Sequence, residues 1–330
     1  MVGRVRGPPG SFGNLGSFER TGMPDALPVY ELYAIRYATR EGRRADNFVG
    51  GDPHDGPMRM DYFCWVMKNA ERSFVVDCGF TAEMAAKRRR DYLRCPVDSL
   101  GLLGLSGETT RDLVLTHLHY DHVGSIMKFP AAQLHLQEPE LHYATGRYMR
   151  HPFLNHAFEV EEVVEVVRRN YAGRVTFYRG DATLAPGITL HLAGGHSGGL
   201  QFVRVHTKRG WVVLASDTMH FFENMDSGRP FTTVFNLGDA VEAFDLVRAQ
   251  APSRDHIIPG HDPLVMELYP PARPDLEGIV VRLDEPPSHV KPHVAEADEA
   301  NLHGTYAFLS ISAKTSRAVR NASTAAGAPA

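Results

Sequence analysis

The run Thr116-His117-Leu118-His119-Tyr120-Asp121-His122 places three imidazoles and a carboxylate directly behind the apolar stretch Leu113-Val114-Leu115. Several such donors offered at the mouth of a buried strand are how a chain presents ligands to a metal ion. The alternative reading is a polar loop that happens to be rich in histidine. Three further stretches repeat the arrangement. Ile188 to Leu192 runs into Gly194-Gly195-His196-Ser197-Gly198-Gly199, where glycines let the backbone pass close to a neighbour. Trp211 to Ala215 runs into Ser216-Asp217, and His256 to Pro259 runs into Gly260-His261-Asp262. Imidazole and carboxylate without thiolate suit zinc or a similar transition metal. The set His117, His119, Asp121, His122, His196, Asp217 and His261 exceeds what one tetrahedral ion takes, so two metals are implied.

These residues need strands to carry them and helices to cover the strands. Strand patterns run over Val29 to Arg36, Tyr62 to Lys68, Ser73 to Gly79 (ending in a turn at Asp77), Arg111 to Thr116, Gln133 to Leu136, Val175 to Tyr178, Leu200 to His206 and Gly278 to Leu283. The Leu100 to Leu105 run continues the alternation of strand and helix. Helices are expected over Thr81 to Leu93 behind a threonine cap, over Pro139 to Thr145, over Phe158 to Arg169 with a stripe of Val160, Val163, Val164 and Val167, and over Gly238 to Gln250 with Val241, Phe244, Leu246 and Val247 apolar. Asp77 is a candidate support for a ligand, or simply the closer of its turn. Asp52, His54 and Asp55 read as turn formers ahead of ligands. His142, His151 and His156 read as surface or satisfied core histidines, with an auxiliary metal site or subunit contact as the sharper alternative.

Composition narrows the classes. The 330 residues are 43% hydrophobic with a formal charge of −4, an ordinary globular balance without the basic footprint a polyanion needs. A small-molecule substrate is expected, with no nucleic acid and no membrane partner, and a homodimer is left open. The three cysteines, Cys64, Cys78 and Cys95, form no CxxC pair, which points to a reducing, cytoplasmic setting. No apolar window is long enough to span a bilayer, and the first thirty residues lack a signal-peptide core. The organisation expected is a disordered Gly/Pro-rich leader over 1–28, one domain over 29–287, and a mostly irregular tail over 288–330.

The order of these motifs, with Asp77-Cys78-Gly79 ahead of them, resembles the metallo-beta-lactamase superfamily over about residues 29 to 285. The resemblance implies an α+β fold, an αββα sandwich of two mixed sheets packed face to face with helices outside and the metals at one edge. It implies that His117, His119 and His196 hold a first ion, that Asp121, His122 and His261 hold a second, and that Asp217 bridges them. Zinc is the first expectation, with iron, manganese or cobalt as alternatives. Within the superfamily the pattern is most similar to the N-acyl homoserine lactonase family. The implied reaction is hydrolysis of a lactone or related small ester by a hydroxide shared between the ions, with Asp121 the first candidate for moving the proton and His220 the second. His220 stands where those lactonases often carry a tyrosine. The Asp52 to Pro57 loop and Phe221 to Met225 are candidate pocket walls, or core in the case of the aromatics. Thioester hydrolysis, hydrolytic dehalogenation and non-catalytic binding of a small molecule are the other readings.

Overall fold

The computed structural model describes residues 27–288. Strands β1 (Glu31–Arg40) and β2 (Met60–Lys68) pair antiparallel and alternate faces, so that Tyr33, Ile35, Cys64 and Val66 enter one core while Leu32, Ala34, Phe63, Trp65 and Met67 enter another. Burial on both faces explains why these segments read as nearly continuous apolar runs. β3 (Ser73–Val76) follows antiparallel to β2. Beside it, β5 (Asp112–Val114), β6 (Gln133–Gln137) and β7 (Val175–Tyr178) are parallel. β4 (Asp91–Tyr92) and β13 (Val280–Arg282) complete this eight-stranded sheet against β1. The second sheet has five strands, β8 (Ala182–Ala185), β9 (Ile188–Leu192), β10 (Gln201–Thr207), β11 (Gly210–Ser216) and β12 (Ile257–Pro259), in the order β12-β11-β10-β9-β8.

The two sheets face each other across a core that includes Leu32, Trp65, Val76, Val114, Ile188, Leu190, Val203, Leu214 and Ile258. Outside the first sheet lie α3 (Glu138–Ala144) and α5 (Val160–Tyr171), which contribute Leu141, Ala144, Val163 and Val166 to a second core. Outside the second sheet, α6 (Phe222–Ser227) and α7 (Leu237–Gln250) press Phe222, Met225, Phe244 and Val247 onto Phe202, Val213 and Ala215. Each such large apolar side chain contributes roughly 1.5–3 kcal/mol when fully buried. The short α1 (Ala82–Arg88), α2 (Tyr120–Val123), α4 (Pro152–Asn155) and α8 (Leu264–Leu268) complete the fold. The result is the expected αββα sandwich. No described helix is long and apolar enough to cross a membrane. The expected leader and tail lie almost wholly outside the described residues.

Several expectations about elements are corrected. The first strand begins at Glu31 and continues to Arg40. Leu100 to Leu105 is no strand: Asp98–Leu103 forms a 3-10 helix closed by Gly104 at φ 75°, because the leucines bury one side of a turn instead of alternating. The helix capped by Thr81, whose hydroxyl accepts from the Met84 amide, stops at Arg88; left-handed Arg89 at φ 55° then lets β4 join β1. In α5 the buried stripe is Val163, Val166 and Arg169, whereas Val160 is exposed. In α7, Val241 and Leu246 are exposed and Ala240 and Ala243 take their places in the core. β8 carried no sequence signal strong enough to be read.

Candidate metal centre

β3 and β5 run parallel, as do β11 and β12, and β9 shares the direction of β11 because each is antiparallel to β10. Their C-terminal ends therefore open on one edge of the sandwich. There the structure brings together every metal-ligand candidate from the sequence. Nε2 of His117 lies 3.0 Å and Nε2 of His196 lies 2.9 Å from Nδ1 of His119. Asp121, His122 and His261 form a second group. Asp217 stands between the two: its Oδ1 is 3.2 Å from His122 Nε2 and 3.0 Å from His261 Nε2, and its Oδ2 is 3.2 Å from His196 Nε2.

In four of the five imidazoles the opposite ring nitrogen is tied down, which aims the ring. His122 Nδ1 meets Asp77 Oδ2 at 2.7 Å, His196 Nδ1 the Thr233 carbonyl at 2.6 Å, His261 Nδ1 the Asp61 carbonyl at 2.9 Å, and His117 Nδ1 the Thr116 hydroxyl at 3.1 Å. Outer hydrogen bonds of this kind fix the tautomer and ring orientation of metal-binding histidines. Asp77 also accepts from the Thr116 amide and hydroxyl, at 2.8 and 2.7 Å, and Ser216 Oγ donates to the same hydroxyl at 3.0 Å. Asp77 and Ser216 hold φ of 58° and 47°, a strain of about 1–3 kcal/mol each that the surrounding bonds must sustain.

Electrostatics fit a cation. Burial, the largest influence, pushes His117 and His119 well below the ordinary histidine range, and neighbouring imidazoles add to it, leaving both as the neutral form that binds metal. His122 moves the other way: burial opposes its charge, but Asp217, Asp77 and Asp121 outweigh it. Burial likewise works to raise Asp217, yet His220, His122 and His261 hold it well below the usual carboxylate range. Excess negative potential focused on a buried His122 Nε2 that has no hydrogen-bond partner among the described residues is what a divalent ion at that position would answer.

His220 lies beside this set, with Nε2 3.0 Å from Asp217 Oδ2 and its ring stacked on Phe231 at 3.7 Å between centroids. Burial pushes it down to about 3 against the pull of Asp217. A cleft of about 270 Å³ opens over the centre, lined by Arg40, Tyr62, Arg90, Asp121, His220 and Phe231 among others.

The expected pocket walls are corrected. Asp52 Oδ1 closes its own turn on the His54 amide at 2.9 Å while its carboxylate pairs with Arg44, and Phe221, Phe222 and Met225 are buried in core clusters. Among the scattered histidines, His156 lines the cleft, whereas His142 is exposed beside Glu138. Sequence reasoning missed Glu140. This buried carboxylate accepts from the Leu118 amide, the Ser197 hydroxyl and the Gly199 amide at 2.9, 2.7 and 2.8 Å, joining the two loops that carry His119 and His196. The only sequence hint was the glycines: a Cβ on Gly199 would lie 2.2 Å from the Glu140 amide nitrogen.

The family model described as "Metallo-beta-lactamase superfamily" matches residues 59–261, and the chain belongs to that superfamily. An N-acyl homoserine lactonase of Bacillus cereus is 28% identical over 136 residues, 41% of this chain and 49% of that protein. The chain thus spans about half the length of the curated relatives it matches. Among solved structures, a quorum-quenching N-acyl homoserine lactone lactonase superposes with a TM-score of 0.61 at 21% identity, covering 72% of this chain and 95% of that one. A dizinc quorum-quenching lactonase superposes with a TM-score of 0.57 at 18% identity, covering 72% and 89%. These superpositions carry the fold.

Proposed function

We propose that the protein is a metal-dependent hydrolase that opens a lactone, or cleaves a related small ester, in the cytoplasm. The observation that carries this reading is Asp217, whose two carboxylate oxygens face two separate groups of imidazoles. On this reading His117, His119 and His196 hold one divalent ion, Asp121, His122 and His261 the other, and Asp217 both. Zinc is the first choice on the donor set, and the relatives known as lactonases, one of them dizinc, support the choice of bond and metal. Such a pair supplies a water of pKa near ~7 and positive charge for the oxygen of the carbonyl under attack.

The chain's own residues do the rest. The Asp121 carboxylate is the least buried of the acidic ligands, at 12% exposure against 3% for Asp217, and its Oδ2 stands 3.9 Å from both His122 and His261. It takes the proton of the attacking water and returns it to the departing alkoxide. The Tyr37 hydroxyl, donating to the Asp121 carbonyl at 2.9 Å, holds that segment still. His220 abuts Asp217 and orients it, the role this geometry favours over proton transfer.

The test is acid release from N-hexanoyl homoserine lactone and simple lactones in a pH-stat, with a halide assay and a thioester in parallel. Ring opening by metal-loaded protein, lost on chelation, is the expected result. Halide release or thioester cleavage without lactone opening would replace this reading by one of its alternatives.

A further inference from the structure

The cleft over the metal centre is basic on one side. Arg40, at the end of β1, and Arg90, between α1 and β4, both line it and are both partly buried. The arginines around them are matched to carboxylates: Arg43 to Asp55, Arg44 to Asp52 and Glu223, Arg59 to Asp61, and Arg88 to Glu159. Among the described residues Arg40 and Arg90 have no such partner. Arg40 Nε reaches the Met60 sulfur at 3.4 Å and its Nη2 the Asn47 amide oxygen at 3.5 Å; Arg90 donates Nε to the Tyr120 hydroxyl at 3.1 Å and Nη1 to the Arg88 carbonyl at 2.8 Å. Both lie close enough to the Tyr62 phenol for their charges to oppose the rise that burial imposes on it. Asp46, the remaining acid of this wall, is exposed and forms no ion pair among the described residues.

Asp121 and Asp217, the carboxylates of the centre, turn their oxygens toward the imidazoles there and form no ion pair with Arg40 or Arg90 among the described residues. A partly desolvated guanidinium without a carboxylate partner is stabilised by an anion seated against it. We infer that the substrate carries an oxyanion, a carboxylate or a phosphate, seated on Arg40 and Arg90 while its ester bond reaches the metal centre. The inference rests on the hydrolase reading and narrows it: a neutral acyl lactone would leave both guanidinium groups unanswered, whereas their planar forks match an oxyanion bidentately.

The experiment compares zinc-loaded wild type with R40Q, R90Q and R90K on two matched pairs, butyrolactone-γ-carboxylate against its carboxamide and gluconolactone phosphate against gluconolactone. The charged member of one pair is expected to show a kcat/KM at least about tenfold above its neutral partner, and the favoured pair identifies the anion. That ratio should fall about tenfold or more in R40Q and R90Q, mainly through KM, and recover in part in R90K. Calorimetric binding of oxolane-carboxylate against its amide, neither of which has a ring ester to open, reads the same anion site without turnover. If no lactone is opened yet the carboxylate binds in an arginine-dependent way, the hydrolase reading fails and the anion site stands. Equal constants for charged and neutral partners in the wild type, or ratios unchanged in both glutamine variants, overturn the inference.

Discussion

Asp77 Oδ2 lies 2.7 Å from His122 Nδ1, and both groups are buried. The same carboxylate receives the amide and hydroxyl of Thr116, so one residue fixes a ligand and the start of the loop that bears three others. Asp77→Asn is the informative change, because asparagine tolerates the φ of 58° that alanine would resist. The fold should persist while affinity for the metals falls about 10- to 100-fold, measured by competition with a chromogenic chelator. Undiminished affinity would mean the contact does not orient His122.

Gly260 is packed against the bridging carboxylate. A Cβ there would meet the Ser216 carbonyl carbon at 2.7 Å and Asp217 Oδ1 at 2.8 Å, and the first contact is with backbone. Gly260→Ala should cost about 1–3 kcal/mol and bring metal content below two ions per chain. Elemental analysis and thermal unfolding check both, and a variant with full metal and unchanged Tm would refute the placement.

Glu140 joins the loops of His119 and His196 with three accepted hydrogen bonds. Burial raises its pKa despite those bonds, so the site is costly to leave half-satisfied. Glu140→Ala strands buried donors at about 1–3 kcal/mol each, and should lower the denaturation midpoint together with binding of the first metal equivalent. Loss of neither would show that the loops hold themselves.

Glu162, on α5, gives a pH dependence. Burial above all, with Glu159 adding to it, raises its carboxyl to about 8, and its Oε2 is buried without a partner among the described residues. The unfolded chain releases this proton near the ordinary value of 4.5 while the native chain keeps it to about 8. Across that window the native state therefore binds more protons, and stability falls as pH rises. Glu162→Gln should remove that slope and raise stability at the alkaline end by on the order of 2 kcal/mol after discounting for partial exposure. Denaturant melts from acid to alkaline pH are the measurement; parallel curves would dismiss it.

Metal removal should be felt by the whole fold. His122 Nε2 has no hydrogen-bond partner among the described residues, and an ion present at 100 times its Kd stabilises by about 2.7 kcal/mol. Chelation should therefore lower Tm by several degrees, with recovery on adding zinc. A Tm indifferent to chelator would count against the ligand set.

The ligand candidates were legible in sequence because His117, His119, His196, Asp217 and His261 lie in the few residues after a strand, with Asp121 and His122 on the short helix that continues the first of these runs. Asp77 was legible for the same reason. Glu140, Arg40 and Arg90 were not: they come from a helix start, a strand end and a helix-strand junction whose convergence only the packing reveals. The leucines at 100 to 105 and Val160 misled because apolar composition does not say which side of a turn faces inward.

The donors are divided between the sheets: His117, His119, Asp121 and His122 follow a strand of the first, and His196, Asp217 and His261 follow strands of the second. Any ion coordinated by both groups is then a clasp across the seam of the sandwich. It would add to the Ser216–Thr116 hydrogen bond that already crosses this seam, so the atoms that would serve the reaction also tie one sheet to the other.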